Sequence, residues 1–193
     1  KTHAGFVLTC IGDDRAYSYM PSRLGQTVAD RAARHVLGHF APDYTAYSFL
    51  DRGSDERQYC SPLVDLPVAS IMRSKYAVYP EYHTSLDDFS LVTPQGLEGG
   101  LAMMQAAIRA LEANHTYRAT VPGEPQLGKR GLYPTLSTRE SGIQVRAMMN
   151  LLAYADGTLD LLAIADLIGT DILRCAEIAE TLATHGLLER VGG

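Results

Sequence analysis

Acids and one histidine stand where apolar runs give way to loops, and such residues carry out metal-binding and hydrolytic chemistry. Gly12-Asp13-Asp14 follows a short apolar run directly. Gly53-Ser54-Asp55-Glu56-Arg57 sits in a polar, turn-rich stretch, and Glu81-Tyr82-His83-Thr84-Ser85-Leu86-Asp87-Asp88 follows a third apolar run. Each has an ordinary reading alone: a turn with solvated carboxylates, an exposed loop with a local ion pair, a hydrogen-bonded surface histidine. Together they mean more, because strand ends are where α/β sheets place their sites. A metal that activates water needs a few ligands in fixed geometry, one open position and outer groups that orient the ligands. One His and several acids from different loops along one sheet edge are compatible with a hydrolytic zinc site. The histidines at 3, 35, 39, 115 and 185 read as strand-end or helix-end residues. His35 and His39 stand at i, i+4 but without the Glu of an H-E-x-x-H helix, so they read as helix-surface residues.

The elements that must position these groups follow from periodicity. Phe6-Val7-Leu8-Thr9-Cys10-Ile11 has the look of a buried central strand. Between Ser22 and Phe40 the spacing of Val28, Ala32, Val36 and Leu37 predicts a helix, with Ser22 or Thr27 as its cap. Strands are expected over Tyr44–Leu50 and Leu66–Met72. Pro94 suits a helix start, and Leu97, Leu101, Met104, Ile108 and Leu111 form one apolar stripe of a helix reaching about His115. This order indicates the α/β class, as part of a three-layer α/β/α sheet over residues 1–118. Residues 119–139 hold three prolines and three glycines and read as a linker. Over 140–193, helices at 144–155, 159–168 and 171–185 precede a short strand at 187–191, the order of a small winged helix-turn-helix domain.

Composition bounds the function. The chain has 193 residues, 46% hydrophobic and 20% charged, and no apolar run near the ~18–20 residues that cross a membrane. Its net charge is −5, and residues 140–193 carry 3 basic against 8 acidic side chains, the whole of that excess. Neither part offers a basic surface for nucleic acid. Cys10, Cys60 and Cys175 are odd in number and far apart, which fits no disulfide framework and points to a reducing cytoplasm. The opening Lys1-Thr2-His3-Ala4-Gly5 lacks the look of a signal peptide and reads as an entry just before a strand, as in a fragment of a longer protein.

Three stretches then carry a resemblance: residues 53–62, Leu66-Pro67-Val68-Ala69-Ser70, and residues 79–88. They closely resemble the bacterial aminopeptidase-like proteins often labelled as polysaccharide-biosynthesis associated. Gly12-Asp13-Asp14, Ser22-Arg23-Leu24-Gly25 and the run from Pro125 to Pro134 look like further signatures of that family, whose winged-helix appendage the tail resembles. These proteins are similar in turn to the co-catalytic zinc peptidases, including bacterial leucyl aminopeptidases, glutamate carboxypeptidase and glutaminyl cyclase. The resemblance puts His83 in the metal-ligand role, with Asp87 or Asp88 as the accompanying acid. It puts Asp13 first, and Asp14 second, as the acid ligand after an earlier strand. Glu56 stands where the wider group has a His, so Asp55 and Glu56 are expected to orient ligands or face substrate, and Arg57 or Tyr82 to bind substrate or the oxyanion.

The family's first metal His, bridging Asp and general-base Glu lie upstream of every position present, so the chain resembles a C-terminal half. The implied activity is that of a zinc-dependent metallopeptidase-like hydrolase, with one or two ions and a peptide or related amide as substrate. The missing N-terminal half is an expected partner and a homo-oligomer a further one. The alternatives are a degenerate peptidase scaffold and a regulatory module that docks through its winged helix.

Overall fold

The first apolar run forms a strand shorter than its hydrophobicity suggests. In the computed structural model, which describes residues 1–132 and 139–192, β1 covers Gly5–Val7. Cys10 takes a left-handed backbone, φ 47°, which ends any extended run before Ile11. β1 pairs in parallel with β4 (Val68–Met72), Gly5 opposite Val68 and Val7 opposite Ser70. On the other side of β4 lies β2 (Ser18–Met20), antiparallel, with Ser18 opposite Met72. β3 (Thr45–Ala46) pairs with β2 and completes the four-stranded order β1-β4-β2-β3. The expected strand over 44–50 therefore contracts, because Ser48 caps a 3-10 turn at Phe49–Asp51. β2 was not expected: three residues are too few to display alternation.

All five residues of β4 are buried, so both faces of the sheet are covered, as parallel pairing requires. Helix α1 (Val28–Phe40) contributes a face of Ala29, Ala32, Ala33, Val36 and Leu37. It starts at Thr27, not Ser22. Thr27 Oγ1 accepts the Asp30 N–H while Asp30 accepts the Thr27 N–H at 2.9 Å, a reciprocal cap. The short helix α2 (Glu56–Tyr59) occupies part of the expected polar turn.

Helix α3 (Pro94–Ala113) keeps its expected start, with Thr93 Oγ1 accepting the Gly96 N–H at 3.0 Å. Its packed face differs from the expected one. Gly96, Gly100, Met103, Met104, Ala107 and Ala110 are buried, while Leu97, Leu101 and Ile108 stay 47%, 58% and 47% exposed. The reason is backbone contact: a Cβ at Gly96 would overlap the Gly12 carbonyl oxygen, and one at Gly100 would crowd that of Ile11. The small-residue face wins because it alone can approach so closely.

The chain divides into two compact units, residues 1–111 and residues 112–193. The expected boundary at 118 lies too late, because β5 (Thr116–Ala119) is the central strand of the second unit's sheet. It pairs antiparallel with β6 (Asp156–Asp160) and β7 (Leu188–Val191) in the order β6-β5-β7. The expected linker 119–139 contains a 3-10 turn at Leu127–Arg130 with Leu127 fully buried. Tyr133 and Pro134 of the family signature, and Gly193, lie outside the described residues. Helices α4 (Arg139–Tyr154), α5 (Leu161–Ile168) and α6 (Ile172–Thr184) follow as expected in order. α5 starts two residues late because Thr158 and Leu159 belong to β6 and Asp160 caps the helix through the Ala163 N–H. Leu151, Leu161, Leu162, Ile164, Ile172, Leu182 and Leu187 fill the core of this winged helix.

Candidate functional site

The chain leaving β1 is tied down by its backbone before any side chain acts. The Cys10 carbonyl accepts the Arg73 N–H at 2.8 Å, and that of Gly12 accepts the Thr93 N–H at 3.0 Å. Asp13, 4% exposed, then links this loop to the end of β4. Its Oδ1 accepts from Ser74 Oγ at 2.7 Å and the Arg15 N–H at 3.0 Å, and its Oδ2 accepts the Ser74 N–H at 2.9 Å. Arg73 is buried beside it, donating from Nε to the Asp13 carbonyl at 2.7 Å and stacking 3.7 Å from the Tyr17 ring centre.

The loop beyond β4 supplies the opposite wall. His83 adopts φ 58° and its ring stacks on Tyr82, centres 4.0 Å apart and planes 15° apart. Tyr79 meets Tyr82 edge-on at 5.7 Å and donates from Oη to Cys10 Sγ at 3.6 Å. Burial first, and that thiol second, push the Tyr79 phenol well above its ordinary pKa. Between the walls lies a cleft of about 370 Å³, lined by Cys10, Asp13, Tyr79, Tyr82, His83 and Asp87, with Leu97 of α3 at its border. Among the described residues, two of the five non-glycine residues with positive φ, Cys10 and His83, border this space. Each such backbone costs roughly 1–2 kcal/mol, and strain of this kind gathers at functional sites.

The structure thus brings together Asp13, Tyr82, His83 and Asp87 from the expected set. Asp14 is exposed and accepts from Thr93 Oγ1 at 3.1 Å. Asp88 is exposed, and the Ser90 hydroxyl first, with the Ser90 N–H at 2.8 Å second, holds its carboxyl below the usual range. Asp55, just before α2, and Arg57 on it are exposed, with Arg57 Nε donating to the Ser54 carbonyl. Neither they nor Asp14 and Asp88 line the cleft.

Glu56 corrects the expectation of a substrate-facing group, for it is fully buried. Its Oε1 accepts from the Gly53 N–H at 2.8 Å, the Ser54 N–H at 2.9 Å and Tyr76 Oη at 2.7 Å. Burial pushes the carboxyl up, but these bonds outweigh it and hold the group below its ordinary value. Oε2 has no hydrogen-bond partner among the described residues. Tyr76 in turn lies 6.4 Å from the Tyr82 ring, so Glu56 bears on the cleft through two tyrosines.

Among the described residues, no group of three or more His, Cys, Asp or Glu is arranged to hold a metal ion. Asp13 explains part of this, since both its oxygens already accept hydrogen bonds. His35 and His39 on α1 lie ring against ring at 4.6 Å. Sequence reasoning passed over Cys10, Tyr79, Arg73 and Ser74. Arg73 and Ser74 directly follow an apolar strand, so the strand-end rule that singled out Asp13 would have found them.

Residues 1–114 match the family described as domain of unknown function (DUF4910), and residues 115–190 match a winged helix-turn-helix family. A Clostridium acetobutylicum protein, provisionally described as a polysaccharide biosynthesis protein with aminopeptidase-like domain, is 36% identical over 189 residues. That match covers 97% of this chain and 43% of the relative. A crystal structure from the same organism, provisionally described as a peptidase, superposes with a TM-score of 0.87 at 34% identity. It covers 98% of this chain and 42% of its own. The chain spans less than half the length of these relatives.

Proposed function

The chain belongs to the family described as domain of unknown function (DUF4910), followed by a winged helix-turn-helix module, and on that footing we propose that it forms one wall of a hydrolase pocket of aminopeptidase type. The peptidase-like scaffold shared with the Clostridium acetobutylicum structure supports this reading. The observation that carries it is the convergence of Asp13, Tyr82, His83 and Asp87 on one cleft beyond the parallel pair β1 and β4. Substrates of this reading are peptides or related amides. The stacked Tyr82–His83 pair offers a flat face to a planar amide or sugar ring, and Asp87 offers an acceptor to an amine.

Histidine and carboxylate are donors that suit zinc, yet the described residues alone do not assemble a ligand set. Zinc, as one or two ions, therefore enters the proposal only for a pocket completed by residues outside these 193, where the general-base carboxylate is also placed. Within this chain Asp13 fixes the loop after β1, and Tyr82 fixes the plane of the His83 imidazole.

A second reading, a scaffold that has lost catalysis, is favoured by the same lack of a three-ligand group among the described residues. In either case we assign the winged helix to protein docking or self-association rather than nucleic acid. Arg174 on α6 is bound to Glu177, and Arg118 on β5 to Glu189, both at 2.6 Å. No described helix is long and apolar enough to cross a membrane, and three free cysteines fit the cytoplasm we assign. The test is zinc content and amide-hydrolysis turnover of the full-length protein and its His83→Ala variant. The variant is expected to lose at least the ~10–100-fold that removal of even an outer partner of a metal site costs. Unchanged zinc and unchanged turnover would remove His83 from the site. A folded, zinc-free, inactive wild type would establish the second reading.

A further inference from the structure

Helix α3 has two apolar faces, and only one is used. Its small residues Gly96, Gly100, Ala107 and Ala110 are packed, while the row Leu97, Leu101, Met104, Ile108 and Leu111 repeats at i, i+4, i+7, i+11 and i+14 along a different line. In that row Met104 is buried, but Leu97, Leu101 and Ile108 are about half exposed. A helix apolar on both faces belongs between two layers. The row borders a second unfilled surface, a groove of about 280 Å³ lined by Gly5, Phe6, Leu8, Met104, Ile108 and Leu111. Leu8, just past β1, is 65% exposed.

The same groove runs along an open sheet edge. β1 is an outer strand in the order β1-β4-β2-β3. The Gly5 N–H donates to the Pro67 carbonyl at 2.9 Å, so by the alternation of a parallel ladder the Phe6 N–H and C=O point away from β4. Parallel strands with an unpaired outer edge and a bare apolar helix beside them are the pattern of a sheet interrupted, not finished.

We propose that this edge and the Leu97–Leu111 row are the docking surface for the rest of the longer protein, which adds a strand beside β1 and covers the exposed side of α3. The relatives say what is available to do so: the chain spans 43% of one and 42% of the other, leaving more than half of each to pack somewhere. A second copy of this chain is the rival occupant. The inference stands apart from the hydrolase reading, since an inactive scaffold would need the same cover.

Thiol accessibility decides it. Leu101→Cys and Ile108→Cys are placed singly in a Cys10→Ser background, with Leu24→Cys, at a site 70% exposed, as the control. Maleimide labelling is compared between the 193-residue chain and a chimaera in which this chain replaces the matched segment of the Clostridium acetobutylicum relative. Labelling at 101 and 108 is expected to slow at least ten-fold in the chimaera, with exchange of the Phe6 amide slowing too and Leu24→Cys unchanged. Equal labelling in both proteins, or an unprotected Phe6 amide in the chimaera, would overturn the proposal. So would light scattering that shows the chain alone as a dimer in which the thiols at 101 and 108 are already protected. Cysteines at the aligned positions of the relative itself give the same reading where the chimaera does not fold.

Discussion

Replacing Asp13 by Asn changes one buried oxygen to an amide nitrogen and leaves the shape intact. Its two oxygens accept three hydrogen bonds: Ser74 Oγ and the Arg15 N–H on Oδ1, the Ser74 N–H on Oδ2. An Asn that keeps its oxygen at the Oδ1 position turns its NH2 toward the Ser74 N–H, donor against donor. The flipped rotamer satisfies that N–H and can donate from its NH2 to Ser74 Oγ, but it then faces the Arg15 N–H, donor against donor. Leaving one buried donor without an acceptor costs about 1–3 kcal/mol, and the bonds that remain lose their charge assistance. The expected loss for the unit 1–111 is therefore about 2–3 kcal/mol. Urea unfolding followed by tyrosine fluorescence measures it, since the chain has no Trp and eight of its 11 Tyr lie in residues 1–111. With an m value of about 1–2 kcal/mol/M, the midpoint of that unit should fall by roughly 1–3 M. Asp14→Asn is the control: its neighbouring carboxylate is exposed and accepts only from Thr93 Oγ1, so its effect should stay within about 0.5 kcal/mol. An Asp13→Asn protein as stable as Asp14→Asn would refute the claim that Asp13 braces β4 against the loop.

Gly96→Ala forces a methyl into the Gly12 carbonyl oxygen and should cost about 3 kcal/mol or more, as strong overpacking does. Gly38→Ala, on an α1 position with no atom near the added methyl, should instead stabilise by about 0.5–1 kcal/mol in the same urea assay. For Glu56 the folded carboxyl titrates below its ordinary value of 4.5, so the unfolded chain binds the proton more readily. Its stabilisation is present above pH 4.5 and is lost as pH falls through the folded value. Tyr76→Phe, which removes one of the three bonds, brings the folded value nearer to 4.5, so the acid-side fall should be smaller and complete at higher pH, and identical stability–pH profiles would count against it. In the winged helix, Asp160→Ala removes the acceptor of the Ala163 N–H at 2.9 Å and of Asn114 Nδ2 at 3.0 Å. Calorimetry of the second unit should register about 1–2 kcal/mol for the lost cap.

Signals confined to one or two turns of chain were legible in the sequence. Pro94 starts α3, Thr27, one of the two expected caps, starts α1, and Gly169 ends α5 in a left-handed turn. Each is a contact among residues a few positions apart, which composition and spacing report directly. Asp13 of the cleft was legible for a related reason, since a polar group after an apolar run stands at the sheet's rim wherever the strand lies, whereas His83 and Asp87, well past the end of β4, were legible through the resemblance carried by residues 79–88. Three matters were settled only by the tertiary structure. α3 packs its glycines rather than its leucines because the carbonyls of Ile11 and Gly12, more than eighty residues earlier, come to lie against them. Glu56 is buried rather than exposed because Tyr76, Gly53 and Ser54 converge to solvate its carboxylate inside the fold. Cys10 and Tyr79 join the cleft through an apolar run and a loop that meet across 69 positions. Periodicity records which residues could be covered; which of them are covered depends on how closely distant backbones can approach, and that distance is set by the assembled sheet.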